Sequence, residues 1–215
     1  MKKQAIAALA TVLAASAALV AAPSADAAPS STAARGAGTT SLAEVLAADG
    51  HRFDRHWGDF DILDAAVTAV LTAKPDSPVK VLADGSQPLT AFLPTDRAFR
   101  KLATALTGNR PRTEKGTFTR LAGLVDTDTL EAVLLYHVVP GATLDSGKVL
   151  KSDGAVLTTA QGGTLTVRVN GHRVRLVDAD PNARNARVKP RLLDINKGNK
   201  QIAHGIDRVL RPIDL

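Results

Sequence analysis

The chain has 215 residues, with 27 Lys and Arg against 21 Asp and Glu, no cysteine and only 3% aromatic residues. That length suits one domain with extensions. The lack of cysteine excludes a disulfide framework and a cysteine-linked lipid anchor, and the few aromatics argue against the stacking platforms that readers of single-stranded nucleic acid rely on.

Met1-Lys2-Lys3 is a basic start, Ala5–Ala22 an alanine-rich apolar run, and Ala25-Asp26-Ala27 a small-residue cleavage site, so residues 1–27 read as a secretory signal peptide. The rival reading, a retained transmembrane helix, is weakened by the lack of a strongly apolar centre. No later segment is long and apolar enough to span a bilayer, and Arg211–Leu215 is not an apolar anchor tail. The expected product is secreted and extracellular, not inserted in a membrane, and held to surfaces only by non-covalent contact. Without Lys2, Lys3 and Asp26 it keeps 25 basic and 20 acidic side chains, a net charge of +5. That permits contact with anionic surfaces without demanding it.

Residues 28–40 are rich in Ala, Ser, Thr, Gly and Pro and read as a flexible leader. The domain is expected over residues 41–215. Ser41 and Glu44 form a capping-box pattern ahead of a short helix through Leu46. Asp49–Asp61 holds His51, Asp54, His56 and Asp59, but their spacing fits no common zinc or calcium pattern. The stretch reads as a solvated loop with Trp57 and Phe60 tucked against the core. Ile62, Leu63, Ala66, Val67, Val70 and Leu71 mark an amphipathic helix, which Lys74-Pro75 and Ser77-Pro78 stop. Thr90–Leu93 reads as a buried strand ended by Pro94. Thr95 or Asp96 then caps a helix whose apolar face is Phe99, Leu102, Ala103 and Leu106, ending near Gly108.

Asn109–Gly116 reads as a polar connection, and Phe118, Leu121, Ala122 and Val125 as another helical face. Asp126 or Asp128 caps a further helix with Leu130, Val133 and Leu134 on one side. Helical spacing puts His137 on that side, where a buried neutral imidazole needs a partner, commonly a backbone group. Leu165, Val167 and Val169 alternate with polar residues up to Asn170-Gly171, the strongest short hairpin signal. With those two residues as the turn, Arg168 falls opposite Arg173, with Arg175 beside them. Like charges across a pair destabilise it; the simpler reading is that the long side chains splay into water, and the alternative is that a neighbouring acid or a bound anion compensates. Asp178–Pro190, with Arg184, Arg187 and Lys189, reads as an exposed loop.

Three stretches, in order, resemble the signature blocks of fasciclin-like domains. The first is TAFLPTDRAF, in which Thr95, Asp96 and Phe99 match and Leu93 stands where the family usually has alanine. The second is LLYHVVPG, with the pair Tyr136 and His137 closing a helix. The third is NKQIAHGIDRVLRP, in which His204, Ile206, Asp207, Val209, Leu210 and Pro212 match, while Lys200 replaces the usual glycine. The resemblance implies an α+β fold: a compact wedge, a twisted β-sandwich with several helices packed along one side. The patterns agree, being helical up to Tyr136 and strand-like after it.

The resemblance also implies a non-enzymatic adhesion or binding module, with a cell-surface or matrix protein or polysaccharide as partner and no cofactor. In some animal members of that family an Asp-Ile dipeptide before the last block serves integrin recognition, and Asp194-Ile195 holds that place here. Its neighbours differ, so integrin binding is not inferred, and the residues read more simply as a turn cap and an edge packing residue. A second function class is an extracellular polyanion binder of the polysaccharide or teichoic type, using Arg168, Arg173, Arg175, Arg184, Arg187, Lys189 and Arg191. A third, a hydrolase, lacks a G-x-S-x-G elbow or an H-E-x-x-H motif to support it. No catalytic, metal or cofactor-binding residue is assigned.

Overall fold

A computed structural model describes residues 37–213. The signal peptide expected over residues 1–27 and the first part of the leader lie outside the described residues.

The fold is organised around β1 (Leu89–Pro94), whose residues are all buried. It pairs antiparallel with β2 (Val138–Pro140) on one side and parallel with β7 (Gln201–Ile206) on the other. Side chains alternate across a strand. Leu89, Ala91 and Leu93 therefore face one core, and Phe92 faces another. The first core is covered by α1 (Leu42–Leu46), α2 (Asp61–Ala73), α3 (Asp96–Thr107) and α5 (Thr127–Tyr136). The second lies against an antiparallel sheet of β3 (Val156–Thr158), β4 (Thr164–Asn170), β5 (Arg173–Val177) and β6 (Ala186–Arg187). Two sheets face to face with helices along one side is the expected α+β architecture.

Most local signals act as the sequence suggests. Ser41 and Glu44 close the capping box at the start of α1. Asp126 accepts from the Thr129 N–H at 2.8 Å and caps α5, and Gly108, at φ +69°, ends α3. Three expectations are corrected. Thr95 is the N-cap residue of α3, but neither its side chain nor that of Asp96 caps the helix; the loop carbonyls of Asp59 and Trp57 accept from the N–H groups of Asp96 and Arg97 instead. Thr95 turns to the Ile206 carbonyl, and the Asp96 carboxylate accepts from Ile62 at the start of α2. The connection read over Asn109–Gly116 holds the start of α4 (Glu114–Ala122), capped by Thr113. The loop read over Asp178–Pro190 contains β6, which buries Ala186 against the second core. A one-turn helix, α6 (Ser146–Leu150), follows β2 without having been anticipated.

The end of the leader is tied down. Gly38 bonds Gly198 and Lys200 through its backbone, and Thr39 passes so close to Gly85 that a Cβ there would stand 1.7 Å from the Thr39 carbonyl oxygen. Beneath this stretch Gln201 is fully buried. Its side-chain carbonyl accepts from Leu42 N–H at 2.8 Å, and its amide donates to the carbonyls of Val81 and Asp84. One side chain thus joins α1, the turn before β1, and β7. Gln201→Leu leaves those backbone groups buried without partners, at about 1–3 kcal/mol for each unmade bond. A loss of roughly 3 kcal/mol or more in urea unfolding is expected.

Candidate functional site

The exposed face of the second sheet carries the candidate binding surface. Leu165, Val167, Val174 and Leu176 point into the core and are at most 4% exposed, so the intervening residues point outward. The expected hairpin register is corrected. Asn170 pairs with Arg173, and Arg168 lies opposite Arg175 rather than Arg173. The turn is Gly171-His172, with the positive φ of +59° at its first central residue, the position that favours glycine in a II′ turn. The slip is by two residues along the partner strand, so the apolar face is preserved.

The corrected register aligns more arginines than expected. Arg175 also pairs with Arg187 on β6, so Arg168, Arg175 and Arg187 form a row across three strands, with Arg173 two residues along β5 on the same face. Neighbouring strands lie about 4.8 Å apart, so the row spans roughly 10 Å at the backbone. All four arginines are exposed, and among the described residues none of them is in an ion pair. Arg173, Arg175, Arg187 and Pro190 also line a cleft beside the row. Arg184 is elsewhere, in a cleft with Lys101 and Arg208. Lys189 and Arg191 flank Pro190, at the start of a 3-10 turn.

The signature residues support this surface from behind. Asp207 accepts from the Arg187 N–H at 2.8 Å and so holds β6 and the last rung of the row. Phe99 lies in the first core, and Tyr136, fully buried, donates to the Thr164 carbonyl at the start of β4 and accepts from Ala179 N–H. His137 ends α5. A carbonyl can only accept and an amide N–H can only donate, so Nδ1 carries the proton to the Val133 carbonyl at 2.7 Å, and Nε2 accepts from Leu210 N–H at 2.9 Å. Burial lowers its pKa to about 4. His204 holds the opposite tautomer, with Nε2–H donating to the Leu144 carbonyl and Nδ1 accepting from Asp194 N–H. Burial lowers its pKa as well, against the pull of that carbonyl.

Asp194, at φ +55°, sits on His204 through its backbone. Its carboxylate accepts from Ser146, through both N–H and hydroxyl, and from Lys197. Burial works to raise its pKa, but Lys197 and Ser146 outweigh it and hold the carboxylate ionised. Ile195 makes a two-way backbone bridge with Ala203 and packs against the first core. The dipeptide therefore joins α6 to β7.

A second constellation escaped the sequence reading. Asp61, Asp96 and Glu114 are the first residues of α2, α3 and α4, and one carboxylate oxygen of each lies within 4.8 Å of the others. Asp59 stands beside Asp96. In each of Asp96 and Glu114 one oxygen is used: Asp96 accepts from Ile62 N–H at 2.9 Å and Glu114 from Arg55 N–H at 2.7 Å. The other oxygen of each is buried and meets no donor, as is one oxygen of Asp59. Burial raises the pKa of Asp96, reinforced by the Asp59 carboxyl, and burial also raises that of Glu114. Of the loop histidines, His51 pairs with Asp64 and His56 with Asp59. Each acid looks in sequence like an ordinary first-turn carboxylate, and only the packing of three helix starts brings them together.

Among solved structures, the chain is similar to a FAS1 domain pair from the insect cell adhesion molecule Fasciclin I, with a TM-score of 0.53 and 15% identity. The likeness covers 81% of this chain and 51% of that one, so the chain spans about half its length. A search of curated proteins finds no match. The Fasciclin domain family model matches residues 65–212, and the chain belongs to that family.

Proposed function

We propose that this chain is a secreted, non-enzymatic adhesion module that binds an anionic polymer of a cell surface or matrix through the row Arg168, Arg175 and Arg187, with Arg173 at its side. The observation that carries the reading is the row itself. Like charges directly opposite one another on paired strands cost stability, and no acid among the described residues forms an ion pair with them. A polyanion laid along the row would offset it with several charges at once.

Family membership supports adhesion, since the structurally similar Fasciclin I is a cell adhesion molecule. A signal peptide over residues 1–27 would deliver the chain outside the cell. No helix among the described residues is long and apolar enough to cross a membrane. Both ring nitrogens of His137 and of His204 are engaged by backbone groups, which leaves neither free to act as a general base. Beside the arginines on the exposed face stand Thr164, Thr166, Asn170 and Val177, with no aromatic ring on which a base could stack. In this reading Asp194 and Ile195 support the surface and do not contact the partner.

The test is co-sedimentation of the purified chain with insoluble anionic polysaccharide and with a neutral polysaccharide of similar particle size. Retention on the anionic polymer alone, released by salt, is the expected result. Equal retention on both, or none on either, contradicts the proposal.

A further inference from the structure

We propose that Asp61, Asp96 and Glu114, with Asp59 beside them, form a calcium-binding site where α2, α3 and α4 begin. The inference is independent of the arginine surface. It rests on two observations, the convergence of the carboxylates and the buried oxygens that no donor satisfies.

The geometry suits a hard cation. Calcium binds carboxylate oxygens at about 2.3–2.6 Å, so oxygens around one ion lie up to about 5 Å apart. The candidate oxygens of Asp61, Asp96 and Glu114 fall within 4.8 Å of one another. Asp96 and Glu114 are at most 1% exposed, and Asp96 Oδ2 and Glu114 Oε1 meet no donor of the protein. A proton shared between Asp59 and Asp96 would satisfy those two groups and leave Glu114 unmatched. A cation satisfies all of them together.

Calcium is preferred to magnesium because the ligands come from separate elements and a flexible sphere, whereas magnesium demands near-ideal octahedral geometry at about 2.0–2.1 Å.

The second oxygens have a separate role. The loop ahead of α2 is held by backbone N–H groups on these same side chains, Arg55 on Glu114 and Asp54 on Asp61. An ion bound between these carboxylates would therefore fasten that loop to the helix starts. Trp57, the chain's only tryptophan, lies in it and can excite a bound terbium ion, a luminescent stand-in for calcium.

The experiment uses the full chain after chelator treatment. Terbium emission excited through Trp57, displaced by calcium, is expected. With a dissociation constant of about 0.1–1 mM, typical of extracellular calcium modules, about 5 mM calcium should raise the melting temperature by roughly 3–8 °C over chelator. Glu114→Gln keeps an acceptor for Arg55 N–H and Asp96→Asn keeps one for Ile62 N–H, so both can fold while losing charge. Each should melt at the same temperature with calcium and with chelator. The proposal is overturned if the wild type shows neither terbium emission nor a calcium shift, or if both variants respond as the wild type does.

Discussion

His137→Ala should cost roughly 5 kcal/mol of folding stability. Removing a buried aromatic side chain typically costs about 3–5 kcal/mol. Here it also leaves Leu210 N–H and the Val133 carbonyl without their partner, at about 1–3 kcal/mol for each buried group left unmet. Against a total of about 5–15 kcal/mol, the variant should be largely unfolded or close to it. Urea unfolding followed by circular dichroism reads the difference, and a loss below about 1 kcal/mol would show that the imidazole is not the tie between α5 and the C-terminal segment.

The same ring predicts a pH dependence. Its pKa in the folded chain is about 4, below the unfolded value of 6.5, so the unfolded state takes up a proton first. The stability it contributes is present above pH 6.5 and is lost as pH falls toward 4. At 1.36 kcal/mol per unit the change is about 3 kcal/mol. His204, also lowered, acts in the same sense. Buried carboxyls with raised pKa, Asp96 foremost, titrate oppositely. Comparison with His137→Gln, whose amide donates and accepts but does not titrate, isolates the imidazole. Wild-type and variant stabilities should draw together between pH 6.5 and 4, and a constant gap would contradict the lowered pKa of the buried imidazole.

Arg175→Glu should separate binding from stability. Arg175 is the middle rung, paired with Arg168 on one side and Arg187 on the other. A glutamate there turns two like-charge pairs into opposite-charge pairs, each worth about 0.2–1 kcal/mol, so the fold should gain stability. The same change places a negative charge in the path of the polyanion and engages the flanking arginines. A loss of about 2 kcal/mol in binding, roughly thirtyfold, is expected. A variant both more stable and weaker in binding identifies the row as a surface kept at a cost to the fold. Unchanged affinity would move the binding surface elsewhere.

Much of the fold was legible because its signals are local. The Ser41 and Glu44 capping box, the Asp126 cap and the Gly108 stop depend on residues within a turn of one another, and each acts as its sequence suggests. The order of the three blocks identified the family, since each joins a strand to its neighbouring helix or loop. The failures share a cause in long-range contact. Asp96 has the sequence of a local cap, yet its carboxylate accepts from Ile62, 34 residues earlier at the start of another helix. Asn170-Gly171 marks the hairpin correctly, but alternation fixes only which face is apolar, so a slip of two residues was invisible. That slip decided which arginines align. Ala186-Arg187 is too short to read as a strand, and it forms one because β5 and Asp207 hold it. Gln201 gave no signal, since a lone glutamine in an apolar run reveals no distant partners.

The most direct test of the binding proposal is a titration of the purified chain with a soluble anionic polysaccharide, polygalacturonate, from about 0.05 to about 0.5 M salt, beside Arg175→Glu. The account predicts wild-type binding that weakens steeply with salt as counterions screen exposed arginines, and a variant that binds weakly throughout with a shallower salt dependence. Wild-type binding that does not respond to salt, or a variant that matches the wild type at every salt concentration, would contradict it.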